Sequence, residues 1–208
     1  MNAREAILGA VRASLGRGAL DDAKRAELDT RLPAHTRPGQ DDDAVERFVQ
    51  KFESRAGTVA RIDSREQIVA AIEAYRAAHD LGKKAAVGGA LRELEWPAGW
   101  RVHHGPAGID EALSVTTCFT AVAETGSLIF ASGPDNPITH NFVPDDHVVV
   151  LERSQIVPYF EDAWTLLRQR GLPRATNVVS GPSRTADVEQ TIQLGAHGPR
   201  RVHVILIG

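Results

Sequence analysis

Apolar residues recur every three to four positions at the start of the chain, at Ala6, Ile7, Ala10, Val11 and Leu15, and Gly16 and Gly18 follow them. That spacing predicts an amphipathic helix over residues 2–15, stopped by the glycines. Periodicity lapses from residue 17 to about 40, where Pro33, Pro38 and Gly39 gather, with one further helical turn expected over residues 21–28. We therefore divide the chain into an N-terminal helix and connecting arm, residues 1–40, and an α/β domain, residues 41–208. Such a helix packs on its own domain or docks on a partner, the first being the more ordinary outcome.

Beyond the arm the pattern alternates. Val45, Phe48, Val49 and Phe52 share one face of a helix capped by Asp43. Thr58–Ile62 reads as a strand, followed by a helix with Ser64 as cap and Gln67 at the capping-box position. Lys84–Val87 is the next strand, ending at Gly88-Gly89 before a short helix over 90–95, and residues 100–103 form another. Two β-prone runs, 114–123 and 127–131, flank a tight turn at Glu124-Thr125-Gly126. A proline-rich loop over 132–146 precedes a strand over 148–151, and residues 158–170 form a helix closed by Gly171. A strand over 176–179, a small-residue loop, a helix start near Thr185, a second Gly/Pro loop and a buried strand over 202–207 complete the pattern. Alternation of this kind with short loops predicts an open, largely parallel sheet covered by helices.

Composition narrows the function. Hydrophobic residues are 42% and charged residues 25% of 208, ordinary for a folded α/β protein. A net charge of −3 gives little basis for nucleic-acid binding. Cys118 is the one cysteine, too few for a disulfide or an iron–sulfur cluster. It reads as a small buried hydrophobe. No run approaches the roughly 20 apolar residues of a membrane helix, and residues 1–5 do not resemble a signal peptide, so the cytoplasm is expected.

Three places carry candidate chemistry. Glu124, with Thr125, Gly126 and Ser127, puts a carboxylate at a strand–turn junction between apolar runs. Acid–base or nucleophilic roles require such a setting, and a carboxylate that merely accepts N–H groups of the turn fits it equally. The long loop offers Asn136 and His140, and loops of that length are usually functional. The histidine and aspartate spacing there matches no metal-ligand pattern, and no metal or other cofactor is expected. Ser183, Arg184 and Thr185 place a hydroxyl, a guanidinium and helix N–H groups where they can hold an anion, although a connection that binds nothing also fits. Gly88-Gly89 falls short of a dinucleotide fingerprint.

Two of these segments are also family motifs. Ala123-Glu-Thr-Gly-Ser-Leu128 resembles the central motif of the lactate utilization protein C family, whose defining module is the LUD domain. Residues 180–189 and 194–200, followed by the terminal strand, resemble that family's C-terminal signature. The resemblance spans roughly residues 40–208. It implies a fold similar to the NagB/RpiA/CoA-transferase superfamily and a role in oxidising L-lactate to pyruvate beside two iron–sulfur proteins encoded with it. A chain with Cys118 alone fits the cluster-free member, and a small anion is expected to bind beside Glu124 and the Ser183–Arg184 loop. The alternatives are an independent CoA-transferase- or isomerase-like enzyme on an acyl or sugar-phosphate substrate, and a non-catalytic scaffold for the iron–sulfur partners. Related CoA transferases use a glutamate before a small turn, and Glu124-Thr125-Gly126 is similar to that arrangement by analogy. If Glu124, Asn136, His140 and the Ser183–Arg184 loop act together, they must line one cleft.

Overall fold

The computed structural model describes residues 2–16, 18, 20–31, 36–39, 43–185, 193–195 and 197–208. Its contacts divide the chain into two units, Met1–Pro38 and Gly39–Gly208. The first holds α1 (Ala3–Leu15) and α2 (Asp22–Thr30). In α1, Asn2 Oδ1 accepts the Glu5 N–H and Glu5 Oε2 accepts the Asn2 N–H, closing a capping box. Gly16 ends the helix at φ 59°, a left-handed conformation that glycine adopts without penalty. Asp21 caps α2 through the Lys24 N–H.

The second unit is built on a parallel sheet of six strands: β1 (Thr58–Ile62), β2 (Lys84–Val87), β3 (Arg101–His103), β4 (Leu113–Thr117), β7 (Asp146–Glu152) and β12 (Arg201–Ile207). Their order is β1-β12-β7-β4-β2-β3, so the last strand of the chain lies between the first and β7. Both faces are covered, which is why the central strands β7 and β12 carry the apolar runs Val148–Leu151 and Val204–Ile207. On one face Val148, Val150, Ile205 and Ile207 meet Ile68, Ile72 and Tyr75 of α4 (Ile68–Ala78). On the other, Val149, Leu151, Val204 and Leu206 meet Phe48 and Phe52 of α3 (Ala44–Glu53), with Leu128 and Phe130 of a second sheet.

That second sheet has the order β8-β5-β6-β9, formed by β5 (Thr120–Val122), β6 (Ser127–Ala131), β8 (Ile156–Val157) and β9 (Thr176–Val179). Its outer face, Val122, Ile129 and Ala131, is sealed by Ala163 and Leu167 of α5 (Phe160–Arg170). The described domain is thus layered as helix, sheet, sheet, helix.

Four sequence expectations change. The run 114–123 is two strands in two sheets. The chain leaves the parallel sheet at Cys118, whose carbonyl accepts Gln155 Nε2, and joins the second where the Phe119 N–H reaches Ile129 O. β-propensity is blind to such a change of partner. Ser64 does not cap α4. A 3-10 turn over Arg65–Gln67 opens that helix, and Gln67 Oε1 accepts the Asp63 N–H instead. Residues 90–95 supply only a 3-10 turn, Gly89–Leu91. No helix begins at Thr185 either: β10 (Arg184–Thr185) pairs antiparallel with β11 (Gln193–Leu194).

Candidate functional site

Six parallel strands give the sheet two chemically distinct edges. Ligands of open α/β sheets sit beyond the carboxyl ends of the strands. Here those ends are Ile62, Val87, His103, Thr117, Glu152 and Ile207. Four adjoining cavities follow this edge. The largest, about 770 Å³, lies among Ser64, Arg65, Arg153 and Ile207, and the next, about 480 Å³, among Arg65, Glu66, Ala90 and Leu94. One of about 250 Å³ touches Arg65, Ala90, Thr117 and Glu152, and one of about 170 Å³ touches Ala90, Thr117, Phe119, Asn136 and Arg170. Shared walls at Arg65, Ala90, Thr117 and Glu152 make them one groove.

The groove's charges are mostly neutralised in place. Arg65 pairs with Glu152, Arg153 with Asp43 at 2.9 Å, and Arg92 with Asp135 at 3.5 Å. Arg170 has no ion pair among the described residues. Its guanidinium lies 5.4 Å from the centroid of the Phe119 ring. The Gly88-Gly89 turn brings the long loop to this edge. The Gly89 N–H donates to Asp135 O at 2.8 Å, and a Cβ on Gly89 would stand 2.2 Å from Asp135 Oδ1. Backbone approach at the glycine pair therefore holds protein, not ligand. Cys118 lines the smallest cavity, and its burial pushes the thiol up to about 12, far from thiolate chemistry.

The opposite edge gathers the two family motifs. Glu124 Oε1 accepts the Phe160 N–H at 3.0 Å, at the first turn of α5. Thr125 Oγ1, Ser127 Oγ and Ser180 Oγ form a chain of hydroxyls with spacings of 2.7 and 2.6 Å, joining the turn to the end of β9. Gly126 (φ 62°) and Gly181 (φ 100°) both press on the end of α3, where an added Cβ would stand 2.6 Å from Phe52 N and 2.6 Å from Arg55 O respectively. Ser183 is tied into the loop before β12: its N–H donates to Pro199 O, its carbonyl accepts the Gly195 N–H, and its Oγ accepts the His197 N–H. Arg184 is exposed beside it, and Thr185 contributes backbone to the β10–β11 pair.

The expected residues thus fall into separate places. Glu124 to Ser127 and Ser183 to Thr185 belong to the amino-terminal edge. Asn136 lies at the groove, separated from the Glu124 turn by the five residues of β6, about 16 Å at the usual rise per residue. His140 lies between, wholly buried, with Nε2 against Gly105 O at 2.9 Å and its carbonyl accepting Ser114 Oγ. Burial, with a smaller push from His103, lowers its pKa. Its neighbour in space His147 is driven down to about 3 by the same cause. His140 Nδ1, His147 Nδ1 and both amide atoms of Asn141 are buried without a partner. No group of three or more His, Cys, Asp or Glu side chains among the described residues is placed to hold a metal ion.

Also at the amino-terminal edge, buried Asp146 receives Arg201 through two bonds, at 2.6 and 2.7 Å, and the Tyr75 hydroxyl at 2.6 Å. Tyr75 stacks on His203, which burial holds at about 4. This network locks the starts of β7 and β12 together. Asp146, Tyr75 and His203 are buried in it, while the Arg201 side chain remains partly exposed.

Sequence reading missed Arg65, Thr117, Glu152 and Arg170. Thr117 was hidden because the run 114–123 was read as one strand with no end there. Arg170 lay in the last turn of a predicted helix, where a cation normally only complements the helix dipole.

The motif-bearing half is where known proteins resemble this chain. Residues 110–207, which hold β4 through β12, match the family model of the LUD domain. The resemblance read from the two motifs is borne out by relatives called lactate utilization protein C. That of Anoxybacillus flavithermus is 30% identical over 112 residues, 52% of this chain and 51% of the relative. That of Bacillus subtilis is 27% identical over 132 residues, 56% and 55%. An uncharacterized protein of Neisseria meningitidis serogroup B is 36% identical over 101 residues, 48% and 42%. The chain spans about half the length of the curated relatives it matches. A crystal structure of a DUF162 family protein from Deinococcus radiodurans superposes with a TM-score of 0.61 at 18% identity, covering 82% of this chain and 100% of that one, and supports the fold.

Proposed function

We propose that this chain serves lactate utilization as a cluster-free subunit, acting with iron–sulfur proteins in the oxidation of L-lactate to pyruvate in the cytoplasm. The observation that carries the reading is the LUD match over residues 110–207 together with relatives called lactate utilization protein C. A single cysteine supports the division of labour, since a cluster needs several thiolates. On this reading the electrons leave lactate through partner proteins, and the groove at the carboxyl edge of the sheet is where this chain meets its small anionic ligand.

An independent CoA-transferase- or isomerase-like activity has weaker support. Such a transferase needs a free carboxylate, and Glu124 is engaged with the Phe160 N–H at the head of α5. A pure scaffold would leave the groove without a purpose. The test is lactate-dependent growth of a deletion strain, with lactate-dependent dye reduction by material co-purified on the tagged chain. Loss of both on deletion, restored by the intact gene, is the expected result. Unimpaired growth on lactate as sole carbon source would refute the proposal.

A further inference from the structure

We infer that β9 is a docking edge for a second copy of this chain, the two β9 strands pairing antiparallel about a two-fold axis at Asn177. The inference is independent of the lactate reading and rests on the lateral edges of the two sheets.

Those edges are β1 and β3 in the six-stranded sheet and β8 and β9 in the four-stranded one. An open strand edge invites further pairing, and proteins blunt it with charge, proline or brevity. β1 carries Arg61, bound to Glu46 of α3 through two bonds of 2.7 Å. β3 has three residues, Arg101 and His103 among them, and β8 has only two. β9, Thr176-Asn-Val-Val179, has no charge, no proline and four residues. All four are partly open to solvent, whereas every residue of its neighbour β6 is buried. α5 seals the outer face at Ile129 and Ala131, but Val178, opposite Ile129 in the register and on the same face, is left 45% exposed.

The register shows which backbone groups are unused. The Ser132 N–H donates to Ala175 O at 2.9 Å, and this pair continues the ladder in which Ala131 faces Thr176 and Phe130 faces Asn177. Antiparallel ladders alternate, so Ala175, Asn177 and Val179 turn their N–H and C=O groups to β6, and Thr176 and Val178 turn theirs outward. Among the described residues no strand pairs with β9 on that side. Two outward residues spaced two positions apart are self-complementary. Antiparallel copies centred on Asn177 set Thr176 against Val178 of the partner subunit, and each such pair exchanges two hydrogen bonds. The same register puts β-branched side chains opposite each other on the outer face, a favourable cross-strand pairing. Charge agrees. Thr176–Val179 is uncharged, and Arg174 falls opposite Ser180 of the partner subunit, so the two copies of this arginine stand about 20 Å apart at the usual rise per residue. A strand of four residues buries less than the roughly 800 Å² per partner of a standard interface, so the dimer is weak, with a dissociation constant on the order of 10 µM.

The experiment is sedimentation equilibrium of the full chain from about 1 to about 500 µM, with disulfide trapping to read the register. The parent should pass from monomer to dimer across that range. Val178→Lys and Val178→Pro should each weaken the dimer at least about tenfold, the first by charging the edge and the second by removing an outward N–H that the monomer does not use. Val178→Lys should melt within about 2 °C of the parent at about 1 µM, as exposed substitutions do. Asn177→Cys should form a disulfide-linked dimer under mild oxidation, because facing residues that exchange no hydrogen bond stand about 4.5 Å apart, and Arg174→Cys should not. Cys118 is buried and should leave the parent unlinked. A parent that stays monomeric at about 500 µM, a dimer unweakened by Val178→Lys, or cross-linking through Arg174→Cys in place of Asn177→Cys would overturn the inference.

Discussion

Gly126→Ala tests whether the Glu124-Thr125-Gly126-Ser127 motif is first a packing device. Two costs add at this position. The residue sits at φ 62°, where an alanine loses roughly 1 kcal/mol relative to glycine. Its new Cβ would stand 2.6 Å from Phe52 N, 2.7 Å from Lys51 C and 2.8 Å from Lys51 Cβ. The first two are backbone of α3's last turn, so no side chain can swing aside, and forced displacement in a packed site costs about 1–3 kcal/mol. The sum is about 2–4 kcal/mol. At 2–4 °C per kcal/mol for a domain of this size, the midpoint should fall by roughly 4–16 °C in a reversible melt. Gly133→Ala is the control, because nothing lies within 4 Å of its added Cβ, and it should change stability by less than about 0.5 kcal/mol. A Gly126→Ala protein melting with the parent would refute the close approach of turn and helix. One that melts with the parent but fails to support growth on lactate would turn the motif into a chemical one.

Three further outcomes are expected. His147 and His203 are buried with folded pKa values near 3 and 4, below the ordinary value of 6.5. The unfolded chain then binds more protons, so stability should fall as pH drops from about 6.5 towards 4, by a few kcal/mol in urea titrations, and a flat profile would refute the burial. Cys118, buried and with its thiol pushed up to about 12, should resist a thiol reagent at pH 8 until denaturant is added, and rapid native labelling would contradict its placement. Glu124→Gln keeps an oxygen for the Phe160 N–H and should melt like the parent, whereas Glu124→Ala should lose about 1 kcal/mol as cap removals do; equal stability of the two would show that the bond contributes nothing, and full lactate-dependent activity of the Gln form would confine the carboxylate to this role.

The sheet was legible wherever a strand's partner did not matter. Thr58–Ile62, Lys84–Val87, Ser127–Ala131 and Thr176–Val179 have the bounds that alternation and turn residues suggest. Asp43 caps α3 through the Val45 N–H as the pattern requires. What local pattern cannot carry is which sheet a strand joins, and so the break at Cys118 went unseen, and with it the groove wall at Thr117. The site suffered for the same reason. Arg170 and Asn136 stand 34 positions apart in sequence and line one cavity only because β6 and α5 return to one edge. Ser183 and Arg184 were expected to head a helix, but two-residue strands with so little apolar pattern are indistinguishable from a helix start.

The position of β12 has a consequence for how the chain comes into being. Because this strand inserts between β1 and β7, both of those strands present bare hydrogen-bonding edges to the cell until Ile207 has cleared the ribosome. The segment that closes the gap, Val202-His-Val-Ile-Leu-Ile207, is itself short, β-prone and nearly uncharged, the composition that self-associates when left unpaired. Synthesis must therefore pass through an interval in which the open slot and the strand that fits it are both exposed. Folding that depends on joining the two ends of a domain is slow by the same topology, so slower growth temperatures or a chaperone acting on the nascent chain should govern the yield of this protein more than the stability of its finished core.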